Sequence, residues 1–380
     1  MSAMIRVSVV VPTFKRPGSL NRCLAALSEQ DCDRFAYEVI IADDAGSEET
    51  RQLVENWNQR HALFVNSLVR EGKYKADLAE TRVNVDSLIS LYPLNLDSES
   101  GSLVVHPRSH ACSAIASTPL FRYIRVTGKH GPAAARNTGW RAARGAIVAF
   151  TDDDCIPSRS WLRAGVSALT EGIAGVRGRI IVPLPNSPTD YELNAAGLET
   201  GEFVTANCFY RRDAIATVGG FDERFTTAWR EDSDLFFSLL ECGYQFREAP
   251  DAIVVHPIRP APWGVSLNQQ RKSMFNALLY KKHPVLYRKK LRPVTPWHYY
   301  WIVGSLLAAI VLQGNGSSLL ALIFFCGWVF MTGRFCLKRL ARTSHSLSHL
   351  TEMIVTSVLI PPLSIFWRIF GAFKFKVFFL

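Results

Sequence analysis

The stretch 146–154 constrains this chain more than any other. Ala146, Ile147, Val148, Ala149 and Phe150 run without a charge into Thr151 and then into three carboxylates, Asp152, Asp153 and Asp154. A strand buried on both faces reads as a continuous apolar run, so 146–150 is expected inside a parallel sheet. Three adjacent acids repel one another and add nothing to a core. At the carboxyl end of such a strand, where open α/β sheets bind ligands, they point to a cation. Hard oxygen ligands suit Mg²⁺ or Mn²⁺, with a substrate phosphate completing the shell. The competing reading makes the acids the N-terminal residues of a helix beginning near Pro157, although one Asp would serve that purpose.

The flanking sequence supplies the rest of such a sheet. Residues 7–11 form a first buried strand, closed by Pro12, Thr13 and Phe14, and a helix is expected over 20–29 with Ser19 as its cap. Residues 37–42 form a second strand ending at Asp43-Asp44-Ala45-Gly46-Ser47, followed by a helix through Trp57. This β-α-β-α alternation predicts a parallel sheet with right-handed crossovers. Residues 66–119 interrupt the rhythm as a polar insert with a Ser/Gly-rich centre, within which a helix is expected near 76–91. A strand at 123–126 and a helix from Pro132 through the alanine run restore it. After the acids come a helix at 160–170, strands at 174–182 and 203–210, and a helix from Arg211 that ends at Gly219-Gly220. An amphipathic helix over 231–242 with Gly243 as its C-cap and a late strand at 252–255, ending at His256-Pro257, complete the series.

Charge is unevenly distributed. From Trp263 onward there are 15 Lys and Arg and a single acid, Glu352, which leaves 43−15=28 basic and 33−1=32 acidic residues before it. The first 262 residues therefore carry −4 and the remainder +14 of the total +10. Because the positive excess lies beside apolar segments, it reads as anionic-lipid-facing sequence on the cytoplasmic side and argues against a nucleic-acid partner. The apolar segments 297–312 and 317–332, separated by an uncharged turn, are expected to form a membrane hairpin within 297–333. A third segment at 353–370, interrupted by Pro361-Pro362, is compatible with spanning, re-entering or lying in the interface. Residues 5–11 are too short an apolar run for a secretory leader. The eight cysteines show no CxxC pair or Cys/His ligand spacing, as expected of reduced cytosolic thiols.

Four segments occur in order: VVVPTFKRP, VIIADDAGS, GPAAARNTGWRAARGAIVAFTDDD and GGFDERFTTAWREDSDL. Together they resemble the inverting glycosyltransferases of family 2, over roughly 5–257 apart from the insert. The resemblance implies a GT-A nucleotide-sugar fold, a mostly parallel sheet flanked by helices, here followed by a C-terminal transmembrane helical region. The expected organisation is a catalytic domain at 1–262, a basic juxtamembrane linker at 263–296 and a membrane region at 297–380. The resemblance also assigns roles. Pro12, Thr13 and Arg16 lie against the nucleotide, Asp43 or Asp44 meets the base, and Arg136 and Asn137 lie near the donor. Asp152 holds the ribose side, Asp154 ligates the metal, and Asp153 shares either task. Asp232 is the base that takes a proton from the acceptor hydroxyl, with Glu231 orienting it or touching the acceptor. His256 is an additional candidate ligand for the metal or phosphate. Trp229 and Asn207 are candidates for an acceptor pocket.

The expected activity is a membrane-bound, metal-dependent, inverting transfer of sugar from a nucleoside-diphosphate donor to a lipid-linked or polysaccharide acceptor. The expected location is the inner membrane, with several spans and a cytoplasmic catalytic domain. The alternative is a catalytically silent, nucleotide-binding membrane scaffold of a polysaccharide export complex. A nucleotidyltransferase is disfavoured, because no Gly-rich, Lys-containing phosphate loop follows the first strand.

Overall fold

The computed structural model describes residues 5–32, 35–70, 120–291 and 295–379. The helix expected near 76–91 lies outside the described residues. The chain divides into two compact units. The first comprises Met1–Ile181, Gly201–Thr227 and Glu231–Pro257; the second comprises Val182–Thr200, Ala228–Arg230 and Ile258–Leu380.

The first unit is built on an eight-stranded sheet in the order β3-β2-β1-β4-β7-β6-β8-β5. The strands are β1 (Ile5–Thr13), β2 (Ala36–Asp43), β3 (Leu120–Arg125), β4 (Ile147–Phe150), β5 (Ile156–Pro157), β6 (Ile173–Ile181), β7 (Cys208–Arg211) and β8 (Gln245–Val255). β1 pairs in parallel with β2 and β4, and β2 with β3. Thr13, Asp43 and the turn after Phe150 therefore emerge at one edge, as the apolar-run reading requires. The sheet is mixed, because β7 enters antiparallel between β4 and β6 and β5 pairs antiparallel with β8.

Three local expectations shift. The first helix, α1, spans Pro17–Ser28 with Pro at its start and no side-chain cap, so proline's fixed φ sets the entry and Ser19 lies inside. The strand expected over 203–210 is confined to Cys208–Arg211, since Phe203 adopts a φ of +45° and the chain turns before Cys208. The late strand begins earlier than its apolar end suggested, at Gln245, because its polar half faces outward along β6.

Helices α2 (Glu48–Arg70), α3 (Pro132–Ala142), α4 (Trp161–Ala168), α5 (Arg212–Thr217) and α6 (Glu231–Glu241) accompany the sheet. α3 lies unusually close to β1. A Cβ on Gly139 would stand 2.3 Å from Val10 Cγ1, so only glycine permits this approach. The same helix buries Ala133, Ala134, Ala135, Arg136 and Asn137, which brings a guanidinium into the interior. α4 begins at Trp161, well after the acid triplet, so Asp152–Asp154 do not cap it.

The second unit is helical. Its main elements are α7 (Met274–Lys282), α8 (Trp297–Gly314), α9 (Ser318–Leu340) and α10 (Leu347–Phe375). Among the described residues, α9 and α10 are long and apolar enough to cross a membrane. α8, which opens with polar and aromatic residues, is not in that class. α10 runs unbroken through Pro361 and Pro362. Arg339 near the end of α9 is buried and ion-paired with Asp190 at 2.7 Å, and donates to Thr356 and Ser357 of α10. A charge among apolar helices is tolerable when it is paired in this way. The seven cysteines described are all free thiols.

Candidate active site

Asp152, Asp153 and Asp154 follow β4 in a tight turn closed by the Cys155 amide donating to Asp152 O at 3.1 Å. The turn gives each acid a different set of neighbours. Asp153 points inward, where Thr13 Oγ1 donates to it at 2.8 Å and Arg16 pairs with it at 3.2 Å. Asp152 is half-buried and accepts from Arg136 Nη2 at 2.9 Å. Asp154 is buried, and its Oδ1 stands 3.6 Å from His256 Nε2. That meeting follows from sheet pairing: Ile156 of β5 pairs with Val255 of β8, which sets the residue after β8 beside the turn before β5.

Arg136 is the hub. Its Nη1 donates to Glu231 at 2.8 Å while Nη2 holds Asp152, so one guanidinium from α3 joins the end of β4 to the start of α6. Burial opposes the Arg136 charge, but Asp152, Glu231 and Asp232 more than offset it and keep its pKa above the ordinary arginine value. Glu231 is buried as well, and burial pushes its pKa up to about 7 against the lowering pull of Arg136, with Asp232 adding repulsion. Its Oε2 finds no hydrogen-bond partner among the described residues. Asp232, half-buried beside it in the first turn of α6, accepts from Ser233 N at 2.7 Å. Asp152 and Asp232 both act on the buried thiol of Cys208, so they share one neighbourhood.

The charge balance has a chemical consequence. Five carboxylates (Asp152, Asp153, Asp154, Glu231, Asp232) meet two guanidiniums, Arg16 and Arg136, plus the imidazole of His256. A nucleoside diphosphate would add more negative charge.

The other candidate residues are also held by contacts within the fold. Asp43 is fully buried; Ala45 N and Ser47 N donate to it at 3.0 and 2.6 Å, and the Tyr123 hydroxyl at 3.1 Å. Burial and the Asp43 charge lift the Tyr123 phenol to about 12, so it stays a donor. Asp44 accepts from Gly131 N and meets His130 Nδ1, each at 2.9 Å. Together they tie the loop after β2 to the start of α3. Asn137, expected near the donor, fills its side-chain bonding capacity inside the protein. It donates to Phe221 O and Glu223 and accepts from Trp140 Nε1 and Phe221 N. Asn207, expected in an acceptor pocket, is likewise buried, donating to Arg179 O and Ala252 O and accepting from Trp161 Nε1. Trp229 belongs to the second unit, where its indole donates to Asn276 and Arg230 lies over its ring. Pro12 sits in β1 opposite Ala42.

The sequence did not single out Cys155, Tyr123, His130 or Glu223. Only Cys155 had a local signal, its position directly after the acids.

The family described as Glycosyl transferase family 2 matches residues 8–76 and 108–219, and Glycosyl transferase family group 2 matches residues 189–369. The glycosyltransferase AglE of Haloferax volcanii is 24% identical over 266 residues, covering 67% of this chain and 67% of that protein. The pre-mycofactocin glycosyltransferase of Mycobacterium tuberculosis is 36% identical over 145 residues, 34% of this chain and 30% of that protein. This chain thus spans under a third of the latter. Among solved structures, a mannosyltransferase of Pyrobaculum calidifontis in complex with GDP-Man and Mn²⁺ aligns with a TM-score of 0.48 and 16% identity, covering 98% of this chain and 89% of that one.

Proposed function

The chain belongs to glycosyltransferase family 2 and is a glycosyl-transferring enzyme with a nucleotide-sugar-binding GT-A fold, and from that premise we propose a membrane-bound, metal-dependent, inverting transferase that uses a nucleoside-diphosphate sugar and a lipid-linked or polysaccharide acceptor. The observation that carries this reading is the convergence of Asp152, Asp153 and Asp154 with Arg136, Glu231 and His256 at the carboxyl edge of the sheet.

The residues fit a divalent cation, since a buried carboxylate and an imidazole stand 3.6 Å apart with a further acid two positions away. Asp154 and His256 would hold Mg²⁺ or Mn²⁺, with Asp152 as a further candidate ligand. When bound, the cation neutralises charge building on the departing diphosphate. Thr13 and Arg16 fix Asp153, and through it the whole turn. The Asp43–Asp44 loop walls the nucleotide side. Arg136 holds Asp152 in place and keeps Glu231 beside Asp232. Asp232 takes the proton from the acceptor hydroxyl as that oxygen attacks the anomeric carbon from the face opposite the leaving group, which inverts the stereochemistry.

The membrane part of the proposal rests on α9 and α10 and on the +14 charge that accompanies them. The orientation is read from α8 and α9 taken as one hairpin: basic residues before α8 and after α9, with none in the turn between them, favour a cytoplasmic location for both its ends and for the catalytic unit. A lipid-linked acceptor would be held at the same surface. The test is a panel of nucleotide sugars incubated with the full chain in detergent or vesicles. Hydrolysis or transfer should require Mg²⁺ or Mn²⁺ and vanish in Asp154→Ala. Turnover that survives both chelation and that substitution would overturn the assignment.

A further inference from the structure

The turn after β4 carries a thiol as well as acids. A carboxylate oxygen of Asp154, the Sγ of Cys155 and a ring nitrogen of His256 all lie within 4.8 Å of one another. Asp154 and Cys155 are buried and His256 is half-buried. This is an oxygen, a sulfur and a nitrogen donor, drawn from the β4–β5 turn and the end of β8. Mg²⁺ gains nothing from the sulfur, whereas zinc-class cations favour the sulfur together with the nitrogen.

We propose that Asp154, Cys155 and His256 form a three-donor site for a zinc-class divalent cation, with the fourth position open, and that its occupation inhibits sugar transfer by taking Asp154 from the catalytic cation. The binding half stands on this geometry alone; the inhibition half rests on the function proposed above. In a tetrahedral zinc centre the nitrogen and oxygen donors stand about 2.0 Å and the sulfur about 2.3 Å from the ion, so donors are roughly 3.3–3.6 Å from one another. His256 Nε2 and Asp154 Oδ1, at 3.6 Å, already have that spacing. The thiol needs to close by about 1 Å. Its present contact is a long one, 3.9 Å to Ala206 O, so little is lost by turning it. On binding, the Cys155 S–H bond breaks, the sulfur–metal bond forms from the sulfur pair, and the proton leaves to solvent. No electron changes hands.

Cobalt(II) reports the sulfur bond directly, because a thiolate on cobalt gives a charge-transfer band that oxygen and nitrogen donors do not. The experiment uses the full chain with Cys112→Ser, Cys242→Ser and Cys326→Ser, which removes the two exposed thiols and the one outside the described residues. Titration with Co²⁺ should give one equivalent of the band, displaced by Zn²⁺ and not by the same concentration of Mg²⁺. Cys155→Ser should abolish the band, and His256→Gln should weaken binding. Absence of the band in the parent, or its persistence in Cys155→Ser, overturns the site. In the activity arm, the Zn²⁺ concentration that halves each variant's own Mg²⁺-supported donor hydrolysis should rise at least roughly tenfold in Cys155→Ser. An unchanged value overturns the inhibition half. Cobalt binding through Cys155 in a protein that turns over no donor would leave the zinc site standing and sink the transferase assignment. Mg²⁺-supported turnover without the band would do the reverse.

Discussion

The two units of this chain bury opposite things. The sheet unit takes charge inside: Asp43, Glu38, Asp153, Asp154, Arg136 and Glu231 are all at most 4% exposed. The helical unit turns apolar side chains out, with Leu319, Phe330, Leu337 and Phe373 each more than two-thirds exposed. Buried charge is costly unless it is paired and hydrogen-bonded. A broad apolar exterior is a liability in water and a requirement in lipid. On the membrane reading proposed above, one chain solves two solvent problems. The first unit makes a local medium in which a few charges act strongly. The second makes a surface compatible with a bilayer.

The sharpest way to break the comparison is to remove one buried charge from the sheet unit and watch catalysis. Asp232→Asn should lower sugar transfer on the order of 10²–10⁴-fold with donor binding retained, measured by kcat and by nucleotide titration. A rate within a few fold of wild type would mean that another group is the base. Next, Arg136→Leu should destabilise the folded unit by about 3–5 kcal/mol, because Asp152 and Glu231 lose their shared partner. Denaturant melts would read this, and a loss below about 1 kcal/mol would show that water replaces the guanidinium.

The helical unit offers the mirror experiment. Phe330→Lys places a charge near the middle of α9, on a side chain that is exposed. If lipid covers that face, insertion should weaken by about 3 kcal/mol, and the protein should leave the membrane fraction on alkaline washing. A variant that expresses, folds and fractionates like wild type would show that water covers it.

The smallest effect concerns pH. The folded pKa of Glu231 stands at about 7, above its ordinary 4.5, so between those values the folded state holds a proton that the unfolded state has lost. Stability from this group is therefore complete below about pH 4.5, falls as pH rises, and is flat again above 7, a total of about 3 kcal/mol at most. Glu231→Gln should flatten the stability curve in that window. An identical slope in the variant would assign the pH dependence elsewhere.

Much of this was legible in the chain itself. Residues 147–150 of the expected run 146–150 became β4, buried along its whole length, with Ala146 exposed in the bend before it, and the acids came out at the strand's carboxyl edge because β4 and the parallel strands β1, β2 and β3 share one direction. Pro132 and the alanine run opened α3, and Gly219, Gly220 and Gly243 ended helices with positive φ. The antiparallel entry of β7 was not legible, since an apolar run carries no sign of strand direction. Nor was the fate of the two asparagines. Asn137 and Asn207 read as polar residues in functional segments, and only the packed structure shows their amides saturated by framework partners.

The sequence by itself determined which chemistry is possible: it set the acids at strand ends, the arginine on an alanine-rich helix and the positive charge beside the apolar segments. Those are local properties, written by side-chain periodicity and by where charge interrupts it. Tertiary structure decided who acts on whom. Arg136 reaches Glu231, and His256 reaches Asp154 and Cys155, through sheet pairing and helix packing between segments far apart in the chain. No spacing along a chain encodes such meetings, because they depend on how the strands order and which direction each one runs.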